Sequence, residues 1–389
     1  MRLLHVADVH FDRTSRWEET LRLTQEIVEI AEREAVGLIT IGGDIFERQS
    51  TPEERNAVAA WLEDLATFAP VVGVYGNHDS PLDLDIFQRI EAKHRIIFAA
   101  RPAVHVVAGT AVACLPWPQK AQLLAALDRP AGVEETGAIA SELLRDVLRG
   151  LGERLAAHDG PRVLLAHAMV DGSRTSAGQP LVGLELSISL SDLELAGADV
   201  VLLGHIHCGQ EWTLSNGAPV IYPGSPRRTA FGELEAKGAV IVQLEKLAGV
   251  TSIETVELST TPMLLIESTW ASAGEGLEPG WFGVSGGDEA AVRAGAECRF
   301  RYTVAADYRA TAALAAGAFR AELLAAGASV VKVEEQVVPV VRQRDAAIAA
   351  ARSLSAKTDA YWTATGRELE PPARARMLAA IDELERQVR

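Results

Sequence analysis

Along the first 245 positions, apolar residues fall into short unbroken runs separated by longer amphipathic stretches. Short apolar runs read as strands covered on both faces, while apolar spacings of three and four mark helices with one wet side. Arg2–Val9 is the first such run and ends in polar residues. Trp17–Glu34 follows with helical spacing, its Leu21, Ile27 and Ile30 set among charges. Val36–Gly43 predicts a second strand and Thr51–Ala66 a second helix, in which Thr51 can cap and Pro52 suits the first helical position. Pro70–Tyr75, Arg162–Ala166 and Asp199–Gly204 predict further buried strands, and Ala218–Tyr222 with Ala239–Leu244 complete the sheets. Strands alternating with helices imply an α/β domain.

From Thr251 the texture changes. Met263–Ser268, Glu297–Ala305 and Ser329–Pro339 alternate as strands do, and Ala-rich Thr311–Ala326 is helical. The Gly-rich segment Ala271–Gly287 reads as loop. Towards the end, Met377, Ile381, Leu384 and Val388 recur at intervals of four, three and four, an apolar stripe on one helix. Pro371-Pro372 opens that helix, Gly366 lies in the turn before it, and Tyr361-Trp362 closes the preceding one. Three domains are expected: an α/β domain over 1–250, a small α+β domain over 251–341, and a helix-loop-helix tail over 342–389.

Composition narrows the class. The chain has 389 residues, 48% of them apolar and 23% charged, which suits two or three folded domains and excludes wholesale disorder. Cys114, Cys208 and Cys298 are odd in number and scattered, so neither a disulfide framework nor a cysteine zinc site is expected. No apolar run approaches the ~18 residues of a membrane span. Leu3–Asp8 is too short and too soon charged for a signal peptide, so a cytoplasmic protein is expected. The net charge of −16 argues against a nucleic-acid binder held by bulk positive charge. The tail from residue 342 is close to neutral, with nine basic and seven acidic residues.

The chemistry collects at strand ends. Asp8-Val9-His10, Gly43-Asp44, Gly76-Asn77-His78-Asp79, His167 and Gly204-His205-Ile206-His207 each follow a predicted strand. The carboxyl edge of an α/β sheet is where such folds place their sites. Asp-x-His and His-x-His put two ligands on one side of extended backbone, and Gly43, Gly76 and Gly204 allow sharp turns and close approach. His, Asp and Asn without thiolate suit Mn²⁺, Fe²⁺ or Zn²⁺. Six or seven such groups exceed one ion's needs. Two ions roughly 3.5–4 Å apart, sharing a carboxylate, would use them all and suit phosphoester hydrolysis. His5, His94, His105 and His158 lack such a setting and read as surface or packing residues, and Cys208 as structural.

In this order the motifs resemble the calcineurin-like metallophosphoesterase superfamily. That resemblance implies a four-layer α/β/β/α sandwich with a small α+β capping domain and a helical tail. It implies a first metal on Asp8, His10, Asp44 and His207, and a second on Asp44, Asn77, His167 and His205, with Asp44 bridging. His78 is then a catalytic non-ligand facing the substrate, and Asp79 its orienting partner. Gly43–Phe46, Ser50-Thr51-Pro52, Tyr75–Ser80, His167–Ser176, Leu203–His207 and above all Tyr222–Pro226 with Phe231-Gly232-Glu233 resemble SbcD, the nuclease family of bacterial SbcCD double-strand-break complexes. Phe11-Asp12 and Glu47 depart from that pattern, Glu47 standing where relatives carry His or Asp.

The resemblance implies a Mn²⁺-dependent DNA nuclease, a 3′-to-5′ exonuclease on duplex ends and an endonuclease on single strands and hairpins. It implies a homodimer formed partly through Thr51–Ala66, and an SbcC-type ABC ATPase gripping the tail. Arg174, Arg227 and Arg228 are candidates for phosphate contact. Two other readings share the motifs: hydrolysis of a small phosphodiester, nucleotide or phosphoprotein, and a scaffold subunit with a decayed site. The complete ligand set speaks against the second.

Overall fold

The computed structural model describes residues 1–80, 83–125, 136–177, 186–233, 235–246, 248–270, 292–338 and 345–388. The chain divides into two compact units, one of Met1–Glu267, Trp281–Arg301 and Ala318–Glu334, the other of Ser268–Gly280, Tyr302–Gly317 and Glu335–Arg389.

The first unit is built on two six-stranded sheets. In chain order its strands are β1 (Arg2–Val6), β2 (Leu38–Ile41), β3 (Val71–Val74), β4 (Ile96–Ala99), β5 (Ala103–Val107), β6 (Thr110–Leu115) and β7 (Arg162–His167). There follow a two-residue pair, β8 (Met169–Val170) and β9 (Ser187–Ile188), then β10 (Val200–Gly204), β11 (Gln210–Thr213), β12 (Pro219–Tyr222), β13 (Gly238–Glu245) and β14 (Gly249–Glu257). The first sheet runs β14-β13-β1-β2-β3-β4 and the second β11-β12-β10-β7-β6-β5. Strands β1 to β4 are mutually parallel, as are β12, β10, β7 and β6, so each sheet presents a common carboxyl edge.

Because both faces of these strands are covered, their sequences are continuously apolar. Leu3, Leu38, Val72, Val112, Leu165 and Leu202 point between the sheets and form the inner core. On the outer face of the first sheet lie α1 (Trp17–Arg33) and α2 (Pro52–Phe68), packed through Leu23, Ile27, Trp61 and Leu65. The outer face of the second sheet is covered by α4 (Thr136–Ala156), whose Leu144, Leu148, Leu151 and Leu155 repeat at helical spacing, with the short α3 (Lys120–Ala125) and α5 (Leu190–Leu193) beside it. This is the expected α/β/β/α sandwich. Thr51 caps α2 in a reciprocal box with Glu54, and Pro52 takes the first helical position.

The sequence pattern places a boundary at residue 250. Instead, β14 pairs antiparallel with β13 and carries the first sheet to Glu257. Its alternating, half-exposed residues resemble those of the strands that follow, which is why the texture changes earlier than the sheet ends. Strands β15 (Met263–Trp270), β16 (Glu297–Ala305) and β17 (Val330–Val338) form a three-stranded sheet in that order, and α6 (Arg309–Ala326) connects the last two. The Gly-rich segment Ala271–Gly287 and the expected boundary at residue 341 lie outside the described residues.

The tail contains α7 (Ala346–Ala350), α8 (Leu354–Ala364) and α9 (Pro371–Val388). Arg374 on α9 joins Asp359 on α8 at 2.6 Å, and Trp362 is buried. Of the α9 stripe, Met377 and Leu384 stand 45% and 61% exposed, and Ile381 is half-buried. No described helix is long and apolar enough to cross a membrane.

Candidate metal centre

The strand register sets the site. Val6 pairs with Ile41 and Ile41 with Gly73, so the loops after β1, β2 and β3 leave the first sheet at one level. In the second sheet Gly204 pairs with His167, placing the ends of β7 and β10 side by side. The two edges almost touch, since a Cβ on Gly204 would run into the Gly42 carbonyl oxygen; within the first edge, one on Gly76 would run into Asp44 Oδ1. Only glycine fits at either place. Among the described residues, seven non-glycine positions have positive φ, and Asp8, His10, Asp44 and His205 are four of them. L-residues held in that region carry strain of order 1–3 kcal/mol each, tolerated where function demands the geometry.

One group of donors gathers around His10. Its Nε2 lies 3.1 Å from His207 Nε2 and 3.8 Å from Asp44 Oδ2. The ligand atoms of Asp8, His10 and His207 all lie within 4.8 Å of one another. A second group gathers around Asn77, whose Oδ1 is 3.0 Å from both His167 Nε2 and His205 Nδ1. His167 Nε2 is also 3.4 Å from Asp44 Oδ2. Asp44 therefore faces both groups. All seven residues expected as ligands, Asp8, His10, Asp44, Asn77, His167, His205 and His207, converge here.

Neighbouring groups fix which nitrogen each imidazole offers. His167 Nδ1 donates to the Gly42 carbonyl at 2.6 Å, leaving Nε2 as the lone-pair atom. His10 Nδ1 faces the Glu47 carboxylate at 2.9 Å, leaving its own Nε2 free to ligate. Asp8 accepts from the His205 amide through both oxygens, at 2.9 and 3.0 Å. The indole of Trp117 packs on the His205 ring with centroids 4.7 Å apart.

The electrostatics fit divalent cations. Burial depresses His205 to about 3, and burial followed by the nearby His10 holds His207 well below its ordinary range. Both imidazoles are thus neutral donors. Burial lifts Asp8 to about 6 against the pull of His167. Despite burial, Asp44 is held below its ordinary range by His167. Burial opposes a proton on His167 too, yet the Asp44 carboxylate draws it up to about 9. Three buried carboxylates, Asp8, Asp44 and Asp79, call for positive charge beside them. Bound cations meet that demand directly.

His78 stands at the rim with a side chain 37% exposed, and its Nδ1 donates to the Glu47 carbonyl at 2.7 Å. The resemblance makes Asp79 its orienting partner. Instead, Asp79 accepts from the Ile45, Phe46 and Gly76 amides at 3.0, 3.1 and 2.8 Å, tying the Asp44 loop to the Asn77 loop. The bond on the His78 ring comes instead from the main-chain carbonyl of Glu47. Arg227 is buried and donates to the His10 carbonyl at 3.0 Å, and Arg228 donates to the Glu233 carbonyl at 3.0 Å, so both are held within the protein. Arg174 is exposed.

The calcineurin-like phosphoesterase family's sequence model matches residues 1–209, more than half of the chain, and the chain belongs to that family. It is a metal-dependent phosphoesterase, a hydrolase. The DNA double-strand break repair protein Mre11 of Aeropyrum pernix is 26% identical over 284 residues, which cover 68% of this chain and 63% of that protein, a little under two thirds of its length. Two solved structures are similar in part. The protein TT1561 of Thermus thermophilus has a TM-score of 0.41 at 15% identity, covering 66% of this chain and 98% of that one. A dimetal phosphatase from Danio rerio has a TM-score of 0.43 at 14% identity, covering 67% and 99%.

Proposed function

We propose that this phosphoesterase is a Mn²⁺-dependent DNA nuclease that processes broken ends. The observation that carries this reading is the Mre11 similarity itself: 26% identity over 284 residues, more of the chain than the 209 residues that the family's sequence model matches. A relative that repairs double-strand breaks favours DNA over a small phosphodiester as the substrate.

In this reading Asp8, His10, Asp44 and His207 hold one ion, and Asp44, Asn77, His167 and His205 the other. When bound, two divalent ions lower the pKa of a shared water and neutralise charge on the phosphoryl oxygens. The remaining work falls to the chain. Asp79 keeps the Asp44 and Asn77 loops in register through its three amide bonds. Glu47 holds His10 through Nδ1. His78 donates through Nδ1 to the Glu47 carbonyl, and its Nε2, protonated in the imidazolium form, would give its hydrogen to the leaving oxygen or bond the phosphate. Duplex ends would be cut 3′ to 5′, and single strands and hairpins internally. The protein would act in the cytoplasm as a homodimer formed partly through α2. An SbcC-type ATPase docked on the tail would bring the DNA, which reconciles DNA cleavage with a net charge of −16.

The deciding assay incubates purified protein, with Mn²⁺ and with chelator, with end-labelled duplex, hairpin DNA and a chromogenic phosphodiester. Mn²⁺-dependent cutting of the DNA substrates supports the proposal. Turnover of the chromogenic ester with intact DNA would point to a small phosphodiester instead.

A further inference from the structure

The segment from Tyr222 to Glu233 carries the most distinctive motifs of the sequence, yet none of the ligands. The structure shows what it surrounds. Glu233 and Lys237 form an ion pair at 2.7 Å with both side chains buried. From Lys237 Nζ a bond runs to the His207 carbonyl at 2.9 Å, and the Ser225 amide donates to that same carbonyl at 3.2 Å. Glu233 in turn accepts from the Thr229 hydroxyl at 2.7 Å and from the Thr229 and Ala230 amides at 3.3 and 3.1 Å. Thr229 Oγ1 lies 3.3 Å from His207 Nδ1. The buried pair thus reaches His207 from two sides, through its backbone and through its ring.

Proton counting gives this chain of bonds a direction. A threonine hydroxyl has one hydrogen and two lone pairs. Paired with Lys237, Glu233 is a carboxylate and only accepts, so the Thr229 hydrogen points to Glu233. Thr229 Oγ1 then has only lone pairs left for His207, and Nδ1 must bring the hydrogen. Nε2 is left as the lone-pair atom, and Nε2 is the nitrogen that faces His10 Nε2 at 3.1 Å. The Gly42 carbonyl imposes the same choice on His167, and Glu47 on His10.

We propose that Thr229 and Glu233 are positioning residues for His207, fixing its imidazole in the Nδ1–H form so that Nε2 ligates the ion shared with Asp8 and His10. The proposal rests on the reading of His207 as a metal ligand. Outer partners of metal-bound histidines typically affect metal affinity by about 10–100-fold.

The test reads metal binding and ring tautomer, not turnover. Mn²⁺ binding is titrated by calorimetry for wild type, Thr229→Val, Thr229→Ser, Glu233→Gln and His207→Ala. The His207 tautomer is read by ¹⁵N NMR on metal-free, histidine-labelled protein. Thr229→Val keeps the shape but loses the oxygen, so one of two sites should weaken by ~10–100-fold and the ring should populate the Nε2–H form. Thr229→Ser restores the oxygen and should restore both readouts. In Glu233→Gln the amide can donate to Thr229, so the tautomer should become mixed and the same site weaker. If Thr229→Val binds two ions with wild-type affinity while His207→Ala loses one, the positioning role is overturned and the ligand reading stands. If His207→Ala keeps both ions, the ligand reading falls and the proposal falls with it. A Glu233→Gln protein that fails to fold leaves the decision to the two Thr229 variants.

Discussion

His5 Nε2 donates to the Leu203 carbonyl at 3.0 Å, a polar bond from β1 to β10 across the inside of the sandwich. Thr40 Oγ1 lies 3.0 Å from the other ring nitrogen, so both nitrogens of this buried imidazole have a polar partner. Two apolar sheets could slide on one another. This bond ties them together beside the ligand-bearing loops, as do those from His167 to Gly42 and from the His205 amide to Asp8.

That arrangement makes stability pH-dependent. Burial lowers His5 from its ordinary 6.5 to about 4. The folded state therefore binds its proton later than the unfolded chain does. The contribution of His5 is fully present above pH 6.5 and is lost as pH falls towards 4. Over that window the loss amounts to about 3 kcal/mol. Chelated wild type and His5→Gln should be unfolded in urea at pH 7.5, 5.5 and 4.5. Wild type should be the more stable at pH 7.5, and the gap should narrow by about that amount on acidification. Parallel stability curves would sink the idea.

Glu47 offers a test that the sequence pattern does not suggest. Its carboxylate meets His10 Nδ1 at 2.9 Å, and this bond is the first cause holding Glu47 below the ordinary carboxylate range. Glu47→Ala removes the group that fixes the His10 ring. Mn²⁺ affinity at one site should fall by about 10–100-fold, with the melting temperature of the chelated protein nearly unchanged. Unaltered calorimetric titrations would show that His10 is held by packing alone.

How much of this is legible in the sequence follows from the range of each interaction. Asp8, His10, Asp44, Asn77, His167, His205 and His207 announce themselves because each follows an apolar run, and parallel strands bring such ends to one edge. What their neighbours do is invisible without coordinates. The family resemblance pairs Asp79 with His78, while the partners its carboxylate meets are the amides of residues 45, 46 and 76 and depend on how two loops meet. Arg227 reads as a surface cation but lies buried beneath His10. The run of leucines in α4 has clear helical spacing yet no polar residues of chemical interest, so attention to motifs passes over it. His5 illustrates the converse: it stands in an apolar strand, where a histidine can persist only if both nitrogens find partners.

Asp44 is the residue both donor groups share. Asp44→Ala should bring metal content, measured by mass spectrometry after gel filtration, close to zero, and should abolish hydrolysis of every substrate. Its Oδ1 also accepts from the His78 amide at 2.8 Å, so the loop after β3 should loosen. Full metal stoichiometry with surviving activity would refute the bridging assignment.

His78 should separate chemistry from binding. It lies at the rim, held by the Glu47 carbonyl, and is assigned to neither ion. His78→Asn should keep two ions while kcat falls by ~10²–10⁴-fold, the usual worth of a general acid or base. Loss of an ion in that variant would make His78 a ligand.

The tail poses the last question, because its apolar face is only partly used within the protein. Arg374 pins α9 to α8 through Asp359, and the Leu354 amide donates to Glu385 at 3.2 Å, so these two helices hold together by polar contacts at either end. Met377 and Leu384 remain 45% and 61% exposed. Exposed apolar side chains spaced along one helical face suit a partner's groove, as the proposed ATPase would provide. Met377→Asp with Leu384→Asp places charges there without touching a ligand or a core residue. Surface substitutions of this kind usually shift stability by no more than about 0.5 kcal/mol each. The double variant should therefore melt within a few degrees of wild type, bind two ions and cleave simple substrates as before. It should no longer co-purify with an SbcC-type ATPase, nor show cutting of duplex DNA stimulated by ATP. Unchanged binding of the ATPase would remove the tail from the interface. A collapse in solubility or melting temperature would instead make this face part of the protein's own core.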